Sequence, residues 1–292
     1  MDLRKYNSYG ARNIGQYSQP QNYELEGKEF EFLMDDGYEY TLRFIDKATL
    51  EWCIKGEQPR KAVDYLCNKG DETTYLVSYE LVNTEKRANH TWAIDLENRL
   101  VTRVLSVVGE NPKFEYLITP KYEFGAIKHE GAEVKSYPRH GFTSDLVGNI
   151  VQWRYGSEME TVHVYYCTDF YRITYPSEKA ASQEFNETLA KLPSSDEPTA
   201  YIKIKDGMYL FSLTEANAEK VLKGEFTFRS NTMVFLQNYK RVFLIGRAFG
   251  TVVADGNTTL LHTPFSAYGR VLDPAEDERL AQMLTAPNPY IV

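Results

Sequence analysis

The stretch GKEFEFLMDDGYEYTLRF, residues 27–44, decides the fold of this chain. Apolar and polar residues alternate on both sides of Asp36-Gly37, and an Asp-Gly pair between alternating runs is a strong hairpin signal. A second stretch, GNIVQWRYGSEMETVHVYY at residues 148–166, follows the same pattern. Each half of the chain therefore begins with the same kind of β unit.

Later segments repeat in the same order. YLVSYE begins at Tyr75 and YLFSLTE begins at Tyr209, and the run at residues 98–108 has its counterpart at residues 239–253. Self-similarity over such a length indicates a duplicated domain. The short loops between consecutive β segments favour antiparallel, up-and-down sheets.

Two strings of about eight strands must close their edges, and closure into a barrel achieves this. A barrel of about eight strands has room for one small ligand. The sequence therefore predicts an all-β fold of two tandem antiparallel, up-and-down, calycin (lipocalin-like) β-barrels. We place an irregular N-terminal strap at residues 1–26, the first barrel at 27–140 and the second at 141–292. The last strand of the second barrel is expected at residues 241–249.

Two helices are expected in the second half. Residues 177–192 have apolar side chains about one helical turn apart and end before Pro193, which favours a short amphipathic helix acting as a lid or a packed plug. A C-terminal helix is expected to begin at Asp273-Pro274, with Asp273 as its N-cap.

Composition excludes several classes of function. The net charge is −8 and the pI about 5.3, and Lys and Arg are scattered, so no basic face is expected for nucleic acid or an anionic membrane. The sequence shows neither a membrane-spanning apolar run nor a signal pattern. Its 3 cysteines are irregularly spaced, which favours a reducing compartment, and we expect the cytoplasm.

Known motifs for metals and cofactors are missing. The histidines form no H-x-H or i,i+4 pair and the cysteines form no CxxC, so no metal site is expected. G-x-S-x-G, P-loop and G-x-G-x-x-G runs are also lacking. We therefore expect no metal and no organic cofactor.

Strand alternation predicts which side chains of YLFSLTE share a face. Tyr209, Phe211, Leu213 and Glu215 lie on one side, and this side is apolar apart from the carboxylate, so we expect it to face inward. A carboxylate inside a barrel is costly unless it is paired or protonated. Glu215 is therefore a candidate acid/base group.

Neighbouring strands add further candidates. Phe170 and Arg172 share one face of DFYRITY, and Trp153 and Tyr155 share one face of IVQWRY. If these faces also point inward, one barrel collects Glu215, Arg172, Tyr155, Tyr209 and Trp153. His163 lies in an alternating strand and is a further candidate contact. The alternatives without a functional role are that Arg172 only pairs with Glu215 at a barrel rim, or that Arg172 faces solvent.

The first copy has Cys53 where the second has Arg172, and Leu81 takes the inward place of Glu215. This asymmetry predicts that the first barrel is a scaffold and the second is the working barrel.

At residues 27–44, and through WCIKG and YLVSYE to EVKSYPRHGFTSD, the first half resembles the phenolic acid decarboxylases, which are lipocalin-like barrels. The whole chain is similar to the two-domain molybdenum cofactor biosynthesis protein F family. The decarboxylase resemblance implies a tyrosine pair that holds a carboxylate, an arginine in a Y-R-I run, and a glutamate acid/base in an S-W-T-E run. The second copy supplies Arg172 and Glu215 for the last two roles, while Trp153 and Tyr155 stand at the tyrosine positions.

We expect a cofactor-independent lyase or isomerase that acts on a small aromatic or unsaturated acid in the C-terminal barrel. Glu215 is the expected acid/base, while Arg172 either holds the substrate carboxylate or neutralises Glu215. Tyr155 is a second anchor, and the other expected contacts are Trp153, Tyr209, Phe211, Phe170 and His163. The alternatives are a small-molecule carrier that catalyses nothing, and an assembly scaffold without a ligand cavity. The sequence leaves dimerisation open.

Overall fold

The computed structural model describes residues 1, 19–57, 59–81, 87–109, 118–133, 137–156, 160–174, 194–217, 227–254, 257–275 and 284. Contacts between Cα atoms divide the chain into two units. One unit is Pro20–Gly141, and the other joins Met1–Gln19 to Phe142–Val292.

The first unit contains a closed barrel of eight antiparallel strands in sequential order. The barrel closes because β1 pairs with both β2 and β8. The strands are β1 (Glu29–Met34), β2 (Glu39–Phe44), β3 (Thr49–Ile54), β4 (Lys61–Lys69), β5 (Thr74–Leu81), β6 (Ala88–Asp95), β7 (Leu100–Val107) and β8 (Lys121–Ile127).

Alternation fills this first barrel with large apolar side chains. Phe32, Leu42 and Trp92 are fully buried members of its core. Leu25, just before the first strand, is buried in the same core, and the N–H of Asn22 donates to the carbonyl of Cys67 at 2.8 Å. Residues of the expected strap that lie just before β1 therefore pack onto the first barrel.

The second unit contains a barrel with the same strand order. Its strands β10 to β17 close because β10 pairs with β17 and β12 pairs with β13, and β9 adds to the far part of β13. The strands are β9 (Gly141–Phe142), β10 (Asn149–Arg154), β11 (Glu160–Tyr165), β12 (Phe170–Thr174), β13 (Ser194–Lys205), β14 (Met208–Thr214), β15 (Thr227–Asn238), β16 (Phe243–Ala254) and β17 (Asn257–Leu272).

The second barrel has an aromatic interior and a separate apolar cluster on its other face. Trp153, Tyr165 and Phe211 belong to the large core cluster. A smaller cluster gathers residues of the opposite strand faces, including Val162 and Val164, and Leu284 packs against it. The two clusters distinguish the inner from the outer face of β10, β11 and β17.

The predicted fold class, two tandem antiparallel barrels, is confirmed. Both Asp-Gly turns are present, with Gly37 at φ 90° and Gly207 at φ 72°, a conformation that glycine adopts without strain. The expected last strand at 241–249 was wrong, because one further strand, β17, follows it. The sequence pattern did not indicate β17, because this strand contains Pro264 and Gly269 and both residue types usually interrupt strands.

The predicted helix at residues 177–192 lies outside the described residues. At the predicted start of the C-terminal helix, residues 273–275 form a turn in which the N–H of Ala275 donates to Asp273 Oδ1 at 2.9 Å, and residues 276–283 lie outside the described residues. Leu284 is the one helical residue among those described.

Candidate functional site

The inward face of β14 is the face that the alternation predicts. Tyr209, Phe211 and Leu213 all belong to the core cluster of the second barrel. Glu215 follows two residues after Leu213 and is 8% exposed. The strand therefore carries an apolar row that ends in a buried carboxyl group.

Burial changes the acidity of Glu215. Loss of hydration raises its pKa from 4.5 to about 8, and the nearby charge of Glu197 acts in the same direction. A hydrogen bond from Asn231 Nδ2 to Glu215 Oε2, 2.6 Å long, acts in the opposite direction. Glu215 is therefore mostly protonated at neutral pH.

Glu197 is a second buried carboxyl group near Glu215, and the sequence analysis missed it. Its Oε2 accepts the backbone N–H groups of Ala216 at 2.6 Å and of Asn217 at 2.9 Å. Burial raises the pKa of Glu197 to about 7, against the lowering effect of these hydrogen bonds. The two carboxyl groups are therefore coupled, because ionisation of Glu197 favours the protonated form of Glu215.

Two acceptor atoms at this pair have no partner among the described residues. Glu197 Oε1 and Asn231 Oδ1 are both buried without a hydrogen bond. Buried polar atoms are normally paired with protein or water. Ser195 lies within hydrogen-bonding reach of Glu197, so Asn231 Oδ1 is the acceptor that remains for a donor entering the site.

Tyr155 lies at the same end of the barrel. Its ring centroid is 6.1 Å from that of Phe265, in an edge arrangement. Burial raises the pKa of Tyr155, and the charge of Glu215 raises it further. The phenol is therefore neutral and lies within electrostatic range of the candidate acid.

His163 lies in the aromatic interior, as the alternation allows. Its ring centroid is 4.9 Å from Tyr171, 5.6 Å from Phe211 and 6.5 Å from Trp153. Burial lowers the pKa of His163 to about 3, so the imidazole is neutral. Its Nε2 atom is buried without a partner among the described residues.

The indole of Trp153 is fixed by a hydrogen-bonded tyrosine. Trp153 Nε1 donates to the hydroxyl of Tyr165 at 3.3 Å, and Gln237 Nε2 donates to the same oxygen at 2.9 Å. Tyr239 in turn donates to Gln237 Oε1 at 2.9 Å. Trp153 is thus a rigid wall and not a free donor.

Tyr209 lies in the interior but at the other end of the barrel. Its hydroxyl donates to Asp145 Oδ2 at 3.0 Å, and its ring packs on Tyr239. Glu215 is six residues further along the chain, roughly 20 Å away at strand spacing. The expectation that Tyr209 and Glu215 contact one small ligand is therefore wrong.

The predicted inward face of β12 was also wrong. Tyr171 and Ile173 belong to the core cluster, so Phe170 and Arg172 lie on the opposite face. Arg172 Nε donates to Asp196 Oδ1 at 3.1 Å, and its guanidinium lies 5.3 Å from the ring of Tyr166. This ion pair is buried on the outer side, away from the aromatic interior.

The structure therefore brings together Glu215 and Tyr155, with Trp153, Phe211 and His163 deeper in the same interior. Tyr209 lies at the far end, and Arg172 and Phe170 lie on the other face. Glu197 lies four residues before Tyr201 on β13, so strand alternation places both side chains on the same face. The inward direction of Tyr201 could therefore have indicated that Glu197 also faces inward. Residues 194–197 (SSDE) are polar and not typical of a strand, so the sequence pattern did not indicate that β13 begins at Ser194.

Among the described residues, no group of three or more His, Cys, Asp or Glu side chains is arranged to hold a metal ion. Within the same residues, no helix is long and apolar enough to cross a membrane.

Comparison with known proteins gives one family match. The MoaF N-terminal domain family matches residues 10–110, which cover most of the first barrel. No curated protein matches the chain significantly. These results do not show the resemblance to the phenolic acid decarboxylases, which continues to depend on short motifs. Residues 10–110 are similar to the MoaF N-terminal domain, and this match together with the two barrels supports a two-domain MoaF-like fold.

Proposed function

We propose that the second barrel binds a small aromatic or unsaturated molecule and that Glu215 transfers a proton to it. The observation that carries this proposal is the pair of buried carboxyl groups, Glu215 and Glu197, at one end of an aromatic barrel interior. The family match suggests a role related to molybdenum cofactor biosynthesis, and proton transfer is the step that we assign to this chain.

The two pKa values support different proton-transfer roles for the two carboxyl groups. Burial raises the pKa of Glu215 to about 8, which favours its protonated form at pH 7. Burial raises the pKa of Glu197 to about 7, so this group can ionise near neutral pH. Glu215 would thus act as the proton donor and Glu197 as the proton acceptor, since general acid–base catalysis is most efficient when the pKa values of the groups lie near the operating pH.

A double-bond isomerisation uses both carboxyl groups and needs no other reactant. The proton of Glu215 goes to one carbon of a carbon–carbon double bond, and the ionised Glu197 removes a proton from the carbon attached to the other end of that double bond. The double bond moves by one position, and the two carboxyl groups exchange their protonation states.

The walls of the site favour an aromatic ligand. Trp153, Phe211 and the neutral ring of His163 offer stacking and edge contacts, which stabilise an aromatic ring beyond simple burial. Arg172 is paired with Asp196 on the other face, so it does not hold a substrate carboxylate in this interior. The ligand is therefore expected to be uncharged at the end that meets the carboxyl pair.

The pairing of Arg172 with Asp196 also favours a second candidate function. An aromatic interior in which no arginine of the described residues is placed to anchor a carboxylate suits a carrier that binds an uncharged ring without changing it. A carrier would tolerate the change Glu215→Gln, because apolar contacts would dominate its affinity.

The test is incubation of the purified protein with hydroxycinnamic acids and with their uncharged methyl esters. Ultraviolet absorbance and mass spectrometry then detect loss of carbon dioxide, gain of water or an isomer of unchanged mass. We expect conversion by the wild type and by Glu160→Gln, and none by Glu215→Gln. Glu160 is the matched control, since its buried carboxylate lies on the other face of β11 and pairs with Arg154.

Conversion by Glu215→Gln at the wild-type rate would exclude Glu215 as the acid. A ligand that is bound but recovered unchanged would establish the carrier function instead.

A further inference from the structure

The first barrel contains a buried ion pair in its interior, although the sequence predicts a scaffold there. Arg103 on β7 and Glu123 on β8 are register partners, and Arg103 Nη2 donates to Glu123 Oε1 at 2.6 Å. Arg103 lies two residues after Val101, which belongs to the core, so strand alternation directs the Arg103 side chain inward. Glu123 is its register partner and lies on the same face. The arginine side chain is 6% exposed and that of the glutamate 19%.

Aromatic rings surround this pair. The guanidinium carbon of Arg103 lies 4.4 Å from the ring centroid of Tyr40 and 5.5 Å from that of Trp92. The ring of His90 lies 6.4 Å from Trp92 and 5.2 Å from Trp52, which extends the aromatic group across the barrel. Arg103 also makes a side-chain hydrogen bond with Tyr40, and its position over the ring faces stabilises the cation electrostatically.

Two donors and one acceptor in this group are buried and lack a partner among the described residues. The donors are Arg103 Nε and Trp52 Nε1, and the acceptor is Glu123 Oε2. Native structures rarely leave buried donors unpaired, and each such group calls for a water or a ligand. The excess of donors over acceptors favours a ligand that accepts hydrogen bonds.

The charges around the group favour an anion. Lys61 Nζ lies 4.9 Å from the ring centroid of Trp52, so a second cation accompanies Arg103. The pKa of His90 is lowered well below its usual value by burial first, then by the positive charges of Arg103 and Lys61. Glu57 is 4.0 Å from Lys61, but both side chains are more than half exposed, and such a pair interacts weakly.

We propose that the first barrel binds a small aromatic carboxylate, with the carboxylate oxygens accepting from Arg103 Nε and Trp52 Nε1. The ring of the ligand packs against the aromatic group formed by Tyr40, Trp52, His90 and Trp92. The site is independent of the proton transfer proposed for the second barrel, because it uses only residues of the unit Pro20–Gly141.

The chain has 3 tryptophans, so the test can observe Trp52 directly. The full-length protein is labelled with ¹⁵N at its indole groups, and its three signals are assigned with Trp52→Phe, Trp92→Phe and Trp153→Phe. Benzoate, benzamide and benzylamine are then titrated, because they share a ring and differ in charge. We expect benzoate to move the Trp52 signal in a saturable manner, benzamide to act more weakly and benzylamine to have no effect.

Variants of the ion pair test the assignment. Arg103→Met is expected to weaken the response to benzoate about tenfold or more, since a charged hydrogen bond is lost. Arg43→Met is the matched control, because Arg43 lies on β2 with its side chain 54% exposed, and it should leave the response unchanged. If Arg103→Met does not fold, Glu123→Gln gives the answer, since removal of the competing negative charge should tighten benzoate binding.

The proposal is overturned if the Trp52 signal does not respond to benzoate, or responds equally to benzylamine. It is also overturned if Arg103→Met binds benzoate like the wild type, or if Glu123→Gln weakens binding.

Discussion

A carboxyl group that is buried among aromatic rings loses the hydration that stabilises its anion. Glu215 is in this position, and the groups that act on it oppose one another. Asn231 donates a hydrogen bond that favours the anion, while the charge of Glu197 disfavours it. The protonation of Glu215 is therefore set by two identifiable neighbours as well as by burial.

The two neighbours can be tested separately at the residue scale. Glu197→Gln removes a negative charge, so the pKa of Glu215 should fall. Asn231→Leu removes the hydrogen bond to the anion, so the same pKa should rise. Titration of ¹³C-labelled glutamate carboxyl groups by NMR measures both changes, and shifts in the same direction in the two variants would contradict this account.

Residue by residue, the sequence predicts the site in part. Glu215 was found because its strand face is otherwise apolar, and an acid at the end of an apolar row stands out. Glu197 was missed because Ser195 and Asp196 precede it and Pro198 follows it, a composition typical of loops. The pairing of β12 with β13, a contact between segments distant in sequence, makes this polar run a strand.

Individual elements show where alternation is sufficient. In β14 one face is clearly more apolar, and its inward direction was predicted correctly. In β12 each face carries one aromatic residue, Phe170 or Tyr171, so composition did not decide between them. The position of Asp196 on the neighbouring strand decides, because it pairs with Arg172 on the outer side.

This ion pair leads to a prediction about stability. Arg172→Met leaves Asp196 as a buried charge without its arginine, and the free energy of unfolding should fall by about 3 kcal/mol. The double variant Arg172→Met, Asp196→Leu should recover most of this loss, because no buried charge remains. Urea unfolding measures both. A double variant as unstable as the single one would show that the pair does not act as a unit.

Packing between β10 and β17 leads to another prediction. Gly269 is the register partner of Trp153, and a Cβ atom added there would lie 2.5 and 2.6 Å from two atoms of the indole ring. Gly269→Ala should therefore lower the free energy of unfolding by about 2 kcal/mol. Gly156→Ala is the control, since its added Cβ would meet no atom within 4 Å. Equal stability of the two variants in urea would contradict the close packing of Trp153.

At the scale of the whole molecule, one strand order carries two different interiors. The first barrel holds Arg103 among aromatic rings, and the second holds the carboxyl groups of Glu197 and Glu215. The common architecture was predictable because apolar alternation repeats along both halves. The chemical difference was predicted only in part, since Arg103 lies in an ordinary-looking strand.

The second interior also affects how the stability of the protein depends on pH. The pKa of Glu215 is about 8 in the folded protein and about 4.5 when unfolded, so the folded state binds the extra proton between these values. Stability from this group is therefore complete below pH 4.5 and is lost as the pH rises through 8. His163, whose pKa is about 3, acts in the opposite sense below pH 6.5.

Glu215→Gln removes the pH dependence of stability that comes from Glu215 and keeps the one that comes from His163. The variant should gain stability over the wild type as the pH rises from 5 to 8, by a few kcal/mol at the upper end. Urea unfolding at several pH values measures the difference. A difference that is constant from pH 5 to 8 would mean that Glu215 is already ionised in the folded protein.

We propose that the second barrel keeps a protonated carboxyl group available for transfer at neutral pH. The most direct measurement is the ¹³C NMR titration of the wild-type protein, with the Glu215 signal assigned from Glu215→Gln. We expect a Glu215 titration with a pKa of about 8, preceded by that of Glu197 at about 7. A Glu215 signal that titrates near 4.5 would contradict the proposed proton donor.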